Sequence, residues 1–217
     1  FLREPQGLRL TPAGEVALPK ARDLLRQAGQ LQTALQPFSA AGRPVALHVG
    51  FIPTALPGLL AEGLRHFNTV QPDVCIQISE MHPGEQIAAL RSGKIDLALP
   101  GAAPAKVKAE FFTRSLHTTP LAMVVPRDHR LARRRTVVLS EFAGDTFLSL
   151  EETRFPGREK MHQRLFQIAG IQPKVTLHAS GLNELLGLIG AGAGVALAPA
   201  DMKRMQASGV KFLKLTR

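Results

Sequence analysis

The stretch "VALHVGFIPTALPGLLAEGLRHFN" (residues 45–68) decides the fold. Its first seven residues, "VALHVGF", are an apolar run of strand length. From Thr54 onward, Leu56, Leu59, Leu60, Leu64 and Phe67 fall on one side of a helix over 54–68. The next strand, "DVCIQISEM" (73–81), follows directly. A strand, a helix and a strand in this order make a right-handed crossover within a parallel sheet. Helix "GEQIAALRSG" (84–93) and strand "IDLALP" (95–100) continue the alternation.

A second set begins with strands "LAMVVP" (121–126) and "TFLSL" (146–150), followed by helix "REKMHQRLFQIAG" (158–170) and strand "KVTLHAS" (174–180). Helix "LNELLGLIGAG" (182–192), strand "VALAP" (195–199), a short helix and strand "VKFLKL" (210–215) complete it. The fold class is therefore α/β, with two Rossmann-like lobes and a ligand cleft between them. Gly190, Gly192 and Gly194 follow a helix and precede a strand, the reverse of a phosphate-binding loop, and read as a helix-ending turn.

Ahead of the lobes, Thr11 suits an N-cap, Pro12 the first helical position and Glu15 the positive end of the dipole. Gly14 leaves the capping box open. Apolar residues then recur at Ala17, Ala21, Leu24, Ala28, Leu31, Leu35 and Phe38, in alternating steps of four and three. An ordinary core-facing helix is one reading. The unbroken heptad spacing favours a long helix that pairs with a second copy of the chain. "SAAGRP" (39–44) ends it as a linker.

The totals exclude several classes. The 217 residues are 45% hydrophobic and 20% charged, as in an ordinary soluble domain. No apolar run approaches a membrane span and no secretion signal begins the chain, so no membrane partner and a cytoplasmic location are expected. The single cysteine, Cys75, cannot form an internal disulfide and lies in an apolar strand, where packing is expected of it. A net charge of +10 raises nucleic acid as a partner, but the one tight basic run, "RDHRLARRR" (127–135), reads as a solvated loop. No hydrolase elbow, zinc-protease motif or cysteine–histidine cluster is present; neither catalysis nor a metal or cofactor is expected.

At the carboxyl edge of the first sheet, Phe51, Ile52 and Pro53 lead to Thr54. Its hydroxyl and the nearby amides can hold a ligand carboxylate, or Thr54 simply caps its helix. The loop Met81, His82, Pro83 leaves the next strand at the same edge, with His82 a donor or an idle loop histidine. Pro100 and Gly101 either line the cleft or turn the chain. Ser149 and Ser180 can face the cleft from the second lobe, and capping accounts for Ser180 equally well.

These landmarks resemble the LysR-type bacterial transcription regulators. "FLREPQGLRLTPAGEVAL" is similar to the wing of that family's winged helix-turn-helix and the start of its linker helix. "VALHVGF", "LPGLL", "LRSGKIDLALPG", "PRDHRLA" and "GLIGAGAGVALAP" resemble successive landmarks of its effector-binding domain. The resemblance implies a two-lobed fold like that of periplasmic binding proteins and a homodimer or homotetramer. Promoter DNA would be engaged through a winged helix N-terminal to these residues, and a small organic inducer would be held in the cleft.

It further implies a wing remnant at 1–10, a linker or dimerisation helix at 11–39, a hinge at 40–44 and a first lobe at 45–118. The second lobe, 119–217, would include a crossover strand back toward the first. "GFIPTA", "EMHPGEQ" and "FPGRE" (155–159) resemble the branch that governs degradation of aromatic compounds, whose inducers include muconate. The alternative is a periplasmic-type solute-binding protein, against which the heptad helix argues.

Overall fold

The computed structural model describes residues 2–4, 7–39, 46–102 and 104–216. The expected hinge at 40–44, Val45 and the Phe38 side chain lie outside the described residues. β1 (Leu2–Glu4) and β2 (Gly7–Arg9) form an antiparallel pair where the wing is expected. α1 (Pro12–Ser39) follows, and the Gly14 amide donates to the Thr11 hydroxyl at 3.0 Å, the cap read from sequence. Along it Leu24, Leu31 and Leu35 are 66%, 59% and 51% exposed, and Ala17, Ala21 and Ala28 are exposed as well.

The first lobe is a parallel sheet of β3 (Ala46–Phe51), β4 (Cys75–Glu80) and β5 (Leu97–Leu99), in the order β4-β3-β5. Val49, Phe51 and Leu60 form its small core, with Leu47, Leu64, Ile76 and Leu99 against them. The helix expected over 54–68 is broken in two. A single turn at Pro53–Ala55 runs into a wide turn at Leu56–Leu60, and regular α2 starts only at Ala61–Val70. Pro57 and Gly58 are non-helical there, because proline has no amide hydrogen and crowds the preceding turn. α3 (Pro83–Arg91) and the short α4 (Ala105–Glu110) complete the lobe; α4 was not foreseen. Arg91 clamps Glu110 with two hydrogen bonds, at 2.8 and 2.7 Å. Cys75 is exposed rather than packed, because β4 is the edge strand of its sheet.

The second lobe is built on β6 (Leu121–Pro126), whose Met123, Val124 and Val125 are fully buried. Around it stand β7 (Thr136–Val138), β8 (Thr146–Leu150), β9 (Lys174–Ala179), β10 (Ala196–Pro199) and β11 (Val210–Thr216). α5 (Arg158–Ile168) precedes β9, and α6 (Leu182–Gly190) precedes β10. The order is β10-β6-β11-β7, and the parallel pair β8-β9 joins through a bridge between Phe147 and Val195.

Here the expectation of a parallel sheet is corrected, because β6 runs antiparallel to both β10 and β11. The chain between β6 and β8 makes turns, one short strand and a single-turn helix at Leu139–Phe142. That segment carries no crossover helix, so β8 is not set parallel beside β6, and β6 pairs instead with β10 and β11 from far along the chain. Val210–Thr216, expected as a strand heading back toward the first lobe, is hydrogen-bonded on both sides within this sheet.

The basic run 127–135 is also more than a solvated loop. Leu131 is buried, and His129 stacks on Phe142 with ring centres 5.7 Å apart. Arg130 pairs with Asp145 at 2.8 Å and Arg134 pairs with Glu141.

His162 on α5 is buried, and its Nε2 has no hydrogen-bond partner among the described residues. Burial, aided by the Arg158 charge one turn earlier, lowers its pKa from 6.5 to about 4. Between those values the unfolded chain binds a proton that the folded chain refuses. Stability therefore falls as pH drops through that window, by roughly 3 kcal/mol once it is crossed. Urea unfolding of His162→Gln at about pH 7 and about pH 4 should show that much less acid destabilisation than the parent. Equal acid losses in both proteins would show that the imidazole is not the group responsible.

Candidate ligand cleft between the lobes

A cavity of about 610 Å³ lies between the two lobes. The carboxyl edge of the first sheet supplies Ile52, Thr54, Leu59, Pro100 and Gly101, with Pro83 from the start of α3. The connecting segment contributes Arg114, His117 and Thr119. The second lobe contributes Phe155, Arg158 and Met161 from α5 and the loop before it, and Asp201, Met202 and Arg204 from the turn after β10.

Among the described residues two hydrogen bonds bridge the lobes, and the His82 ring of the first lies 6.2 Å from the Phe155 ring of the second. The Gly84 amide at the start of α3 donates to the Arg154 carbonyl at 2.8 Å. A Cβ on Gly84 would lie 2.4 Å from the Thr153 carbonyl oxygen, so no side chain fits there. Across the cleft, Arg204 Nη1 donates to the Pro57 carbonyl at 3.0 Å, over the break that Pro57 and Gly58 make in the first lobe.

Five of the sequence-derived candidates line this cavity: Ile52, Thr54, Pro83, Pro100 and Gly101. Thr54 does so without capping a helix. Pro53 takes the first position of its turn, which moves the N-cap back to Ile52, and no side chain caps it. The Thr54 hydroxyl is half-buried and has no hydrogen-bond partner among the described residues.

The other six candidates are placed elsewhere. Phe51 is buried in the first lobe's core, and Pro53 forms the turn. The Met81 carbonyl accepts from Gln86 Nε2 at 2.7 Å. His82 is itself the N-cap of α3: its Nδ1 accepts from the Glu85 amide at 3.3 Å, and the Glu85 carboxylate accepts from the His82 amide at 3.2 Å. Ser149 sits in β8 opposite His178 of β9. Ser180 donates its amide and hydroxyl to Glu184, and the N-cap of α6 is Gly181, so Ser180 is not that helix's cap.

The charged groups of the cleft were not foreseen. In the sequence "FPGRE" speaks only through its resemblance, yet Phe155 and Arg158 both line the cleft. The Arg158 guanidinium lies 5.9 Å from the centre of the Phe155 ring. Desolvation lowers its pKa to about 10, partly offset by Glu152, so it remains a cation at neutral pH. The α5 amides beside it are taken, because Glu152 accepts from Gly157 and from Glu159. Elsewhere in the lining, Asp201 accepts from the Thr119 hydroxyl and lies 3.3 Å from His117 Nε2. Among the described residues the cleft thus offers three arginines and an unpaired hydroxyl against one carboxylate, beside apolar side chains such as Leu59, Leu99 and Leu182. Such a surface suits a small anion with a hydrocarbon body.

The transcriptional activator of the Hca operon, HcaR of Escherichia coli K12, is 28% identical over 215 residues, which are 98% of this chain and 70% of that protein. The effector-binding domain of QuiR in complex with shikimate matches with a TM-score of 0.69 at 22% identity, over 79% of this chain and 81% of that one. The BenM effector-binding domain with its effector benzoate matches with a TM-score of 0.60 at 24% identity, over 79% and 78%. These two likenesses speak for the two-lobed fold. Residues 41–217 match the family described as the LysR substrate binding domain, and the chain belongs to the LysR family of transcriptional regulators.

Proposed function

We propose that the cleft senses a small organic acid and that its occupancy changes how the regulator engages promoter DNA. The observation that carries this reading is the convergence of Arg158, Arg114, Arg204 and the unpaired Thr54 hydroxyl on one inter-lobe cavity. The bound acids named for the two matched effector-binding domains, shikimate and benzoate, are carboxylates of the size such a cavity admits. Ligand binding biases the arrangement of subunits by favouring one arrangement over another.

The chain acts as a sensor and not an enzyme, in the cytoplasm where promoter DNA is found; the activator matched over 98% of this chain supports that reading. The same match sets aside a periplasmic-type solute-binding protein. The domain division follows the lobes, with α1 as the dimerisation helix, the first lobe at 45–118 and the second at 119–217.

Thr54→Val keeps the shape of the side chain and removes the hydroxyl. Affinity for a carboxylate such as benzoate should fall about tenfold, as expected for a lost charge-assisted hydrogen bond. Because Thr54 caps nothing, the melting temperature should not move. Calorimetric titration beside a thermal melt tests both. Unchanged affinity would place the carboxylate elsewhere in the cleft.

Exposed leucines along α1 support association through this helix. Leu24→Glu combined with Leu31→Glu places charges at successive heptad positions and should shift the sedimenting species toward monomer, with circular dichroism of the lobes unchanged. A double variant of unaltered mass at low concentration would mean that the dimer is held by other surfaces.

A further inference from the structure

We infer that the acid held in the cleft carries a hydroxyl group and that Asp201 is the residue that reads it, an inference that rests on the organic-acid reading above. Asp201 lies in the turn Ala200–Met205 and lines the cavity with its side chain 26% exposed. Both of its neighbours from the connecting segment use the same oxygen: Oδ2 accepts from Thr119 and lies 3.3 Å from His117. Among the described residues Oδ1 receives no hydrogen bond. A carboxylate has about four acceptor sites, so Oδ1 keeps lone pairs that a ligand displacing water from the cavity must satisfy, and an acceptor left without a donor then costs free energy.

The other charged groups of the cavity are Arg114, Arg158 and Arg204, which take the ligand's own acid group. A plain hydrocarbon acid would set its ring against Asp201 and leave Oδ1 bare. A cationic donor such as an ammonium would meet three arginines. A neutral hydroxyl satisfies Oδ1 without either penalty. A site built to bond a hydroxyl rejects the analogue that lacks it more strongly than an apolar pocket rejects an added one.

The test is calorimetric titration of the full chain with two matched series: benzoate against meta- and para-hydroxybenzoate, and cyclohexenecarboxylate against shikimate. In the parent at least one hydroxylated acid should bind about tenfold more tightly than its plain counterpart. In Asp201→Ala the order should cross. The hydroxy acid weakens about tenfold, while the plain acid holds or tightens because a repelling carboxylate is gone. A merely structural role for Asp201 would weaken both acids together, and that result overturns the inference. Thr119→Val removes a donor to Oδ2 but leaves Oδ1 open, so it should keep the hydroxyl preference. Plain acids binding the parent as tightly as hydroxylated ones would overturn the assignment while leaving the organic-acid reading intact. If no acid of either series binds, that reading fails and the hydroxyl assignment falls with it.

Discussion

The contact between the Gly84 amide and the Arg154 carbonyl sets the distance between the lobes. It joins the start of α3 in the first lobe to the loop after β8 in the second, and it is tight enough that only glycine fits. Everything assigned to the cleft depends on it, since Thr54 and Arg158 belong to different lobes and share one cavity only at this separation. The second bridge differs in kind. Arg204 reaches the Pro57 carbonyl with a long, flexible, charged side chain that also lines the cavity. The backbone contact has little latitude, whereas the arginine contact shares its donor group with whatever occupies the cleft. A ligand acid group that took this donor would link binding to lobe geometry through one guanidinium, which is the physical form that coupling between a ligand and a conformation requires.

The order of elements was legible because it rests on local periodicity. The run 45–51, the apolar stripe after it and the strand from Cys75 follow from residues a few positions apart. The antiparallel setting of β6 was not legible, because its partners β10 and β11 lie about seventy to ninety residues later and strand direction leaves no mark on composition. The break at Pro57 and Gly58 is visible in hindsight as a local conflict between leucine periodicity and proline geometry.

The site divides in the same way. Thr54 was found from its position at the end of a strand, although its supposed capping role failed by two residues once Pro53 took the first place of the turn. His82 and Ser180 are polar residues near the correct edge, yet each is used by a glutamate three or four residues along its own helix. Asp201 and Arg204 carry no local signature at all. They reach the cleft because β10 ends beside it, and that follows only from the whole sheet.

Net charge acquires a location once the pairs are drawn. Of the arginines in the basic run, Arg130 and Arg134 face Asp145 and Glu141, so that stretch stitches the second lobe together. Within the cleft, Arg114 and Arg204 have no carboxylate partner among the described residues, and the one acid lining it, Asp201, is engaged by Thr119 and His117. Arg158 completes the imbalance. Its surroundings disfavour the charge enough to lower the pKa to about 10, yet a group with that pKa is still almost wholly protonated at neutral pH. The folded chain thus holds a partly dehydrated cation that Glu152 compensates only in part. A carboxylate entering the cleft meets a partner already stripped of much of its water, so less desolvation opposes the new bond than at an exposed arginine. That head start acts on anions alone, and it explains how a largely apolar cavity can select for charge.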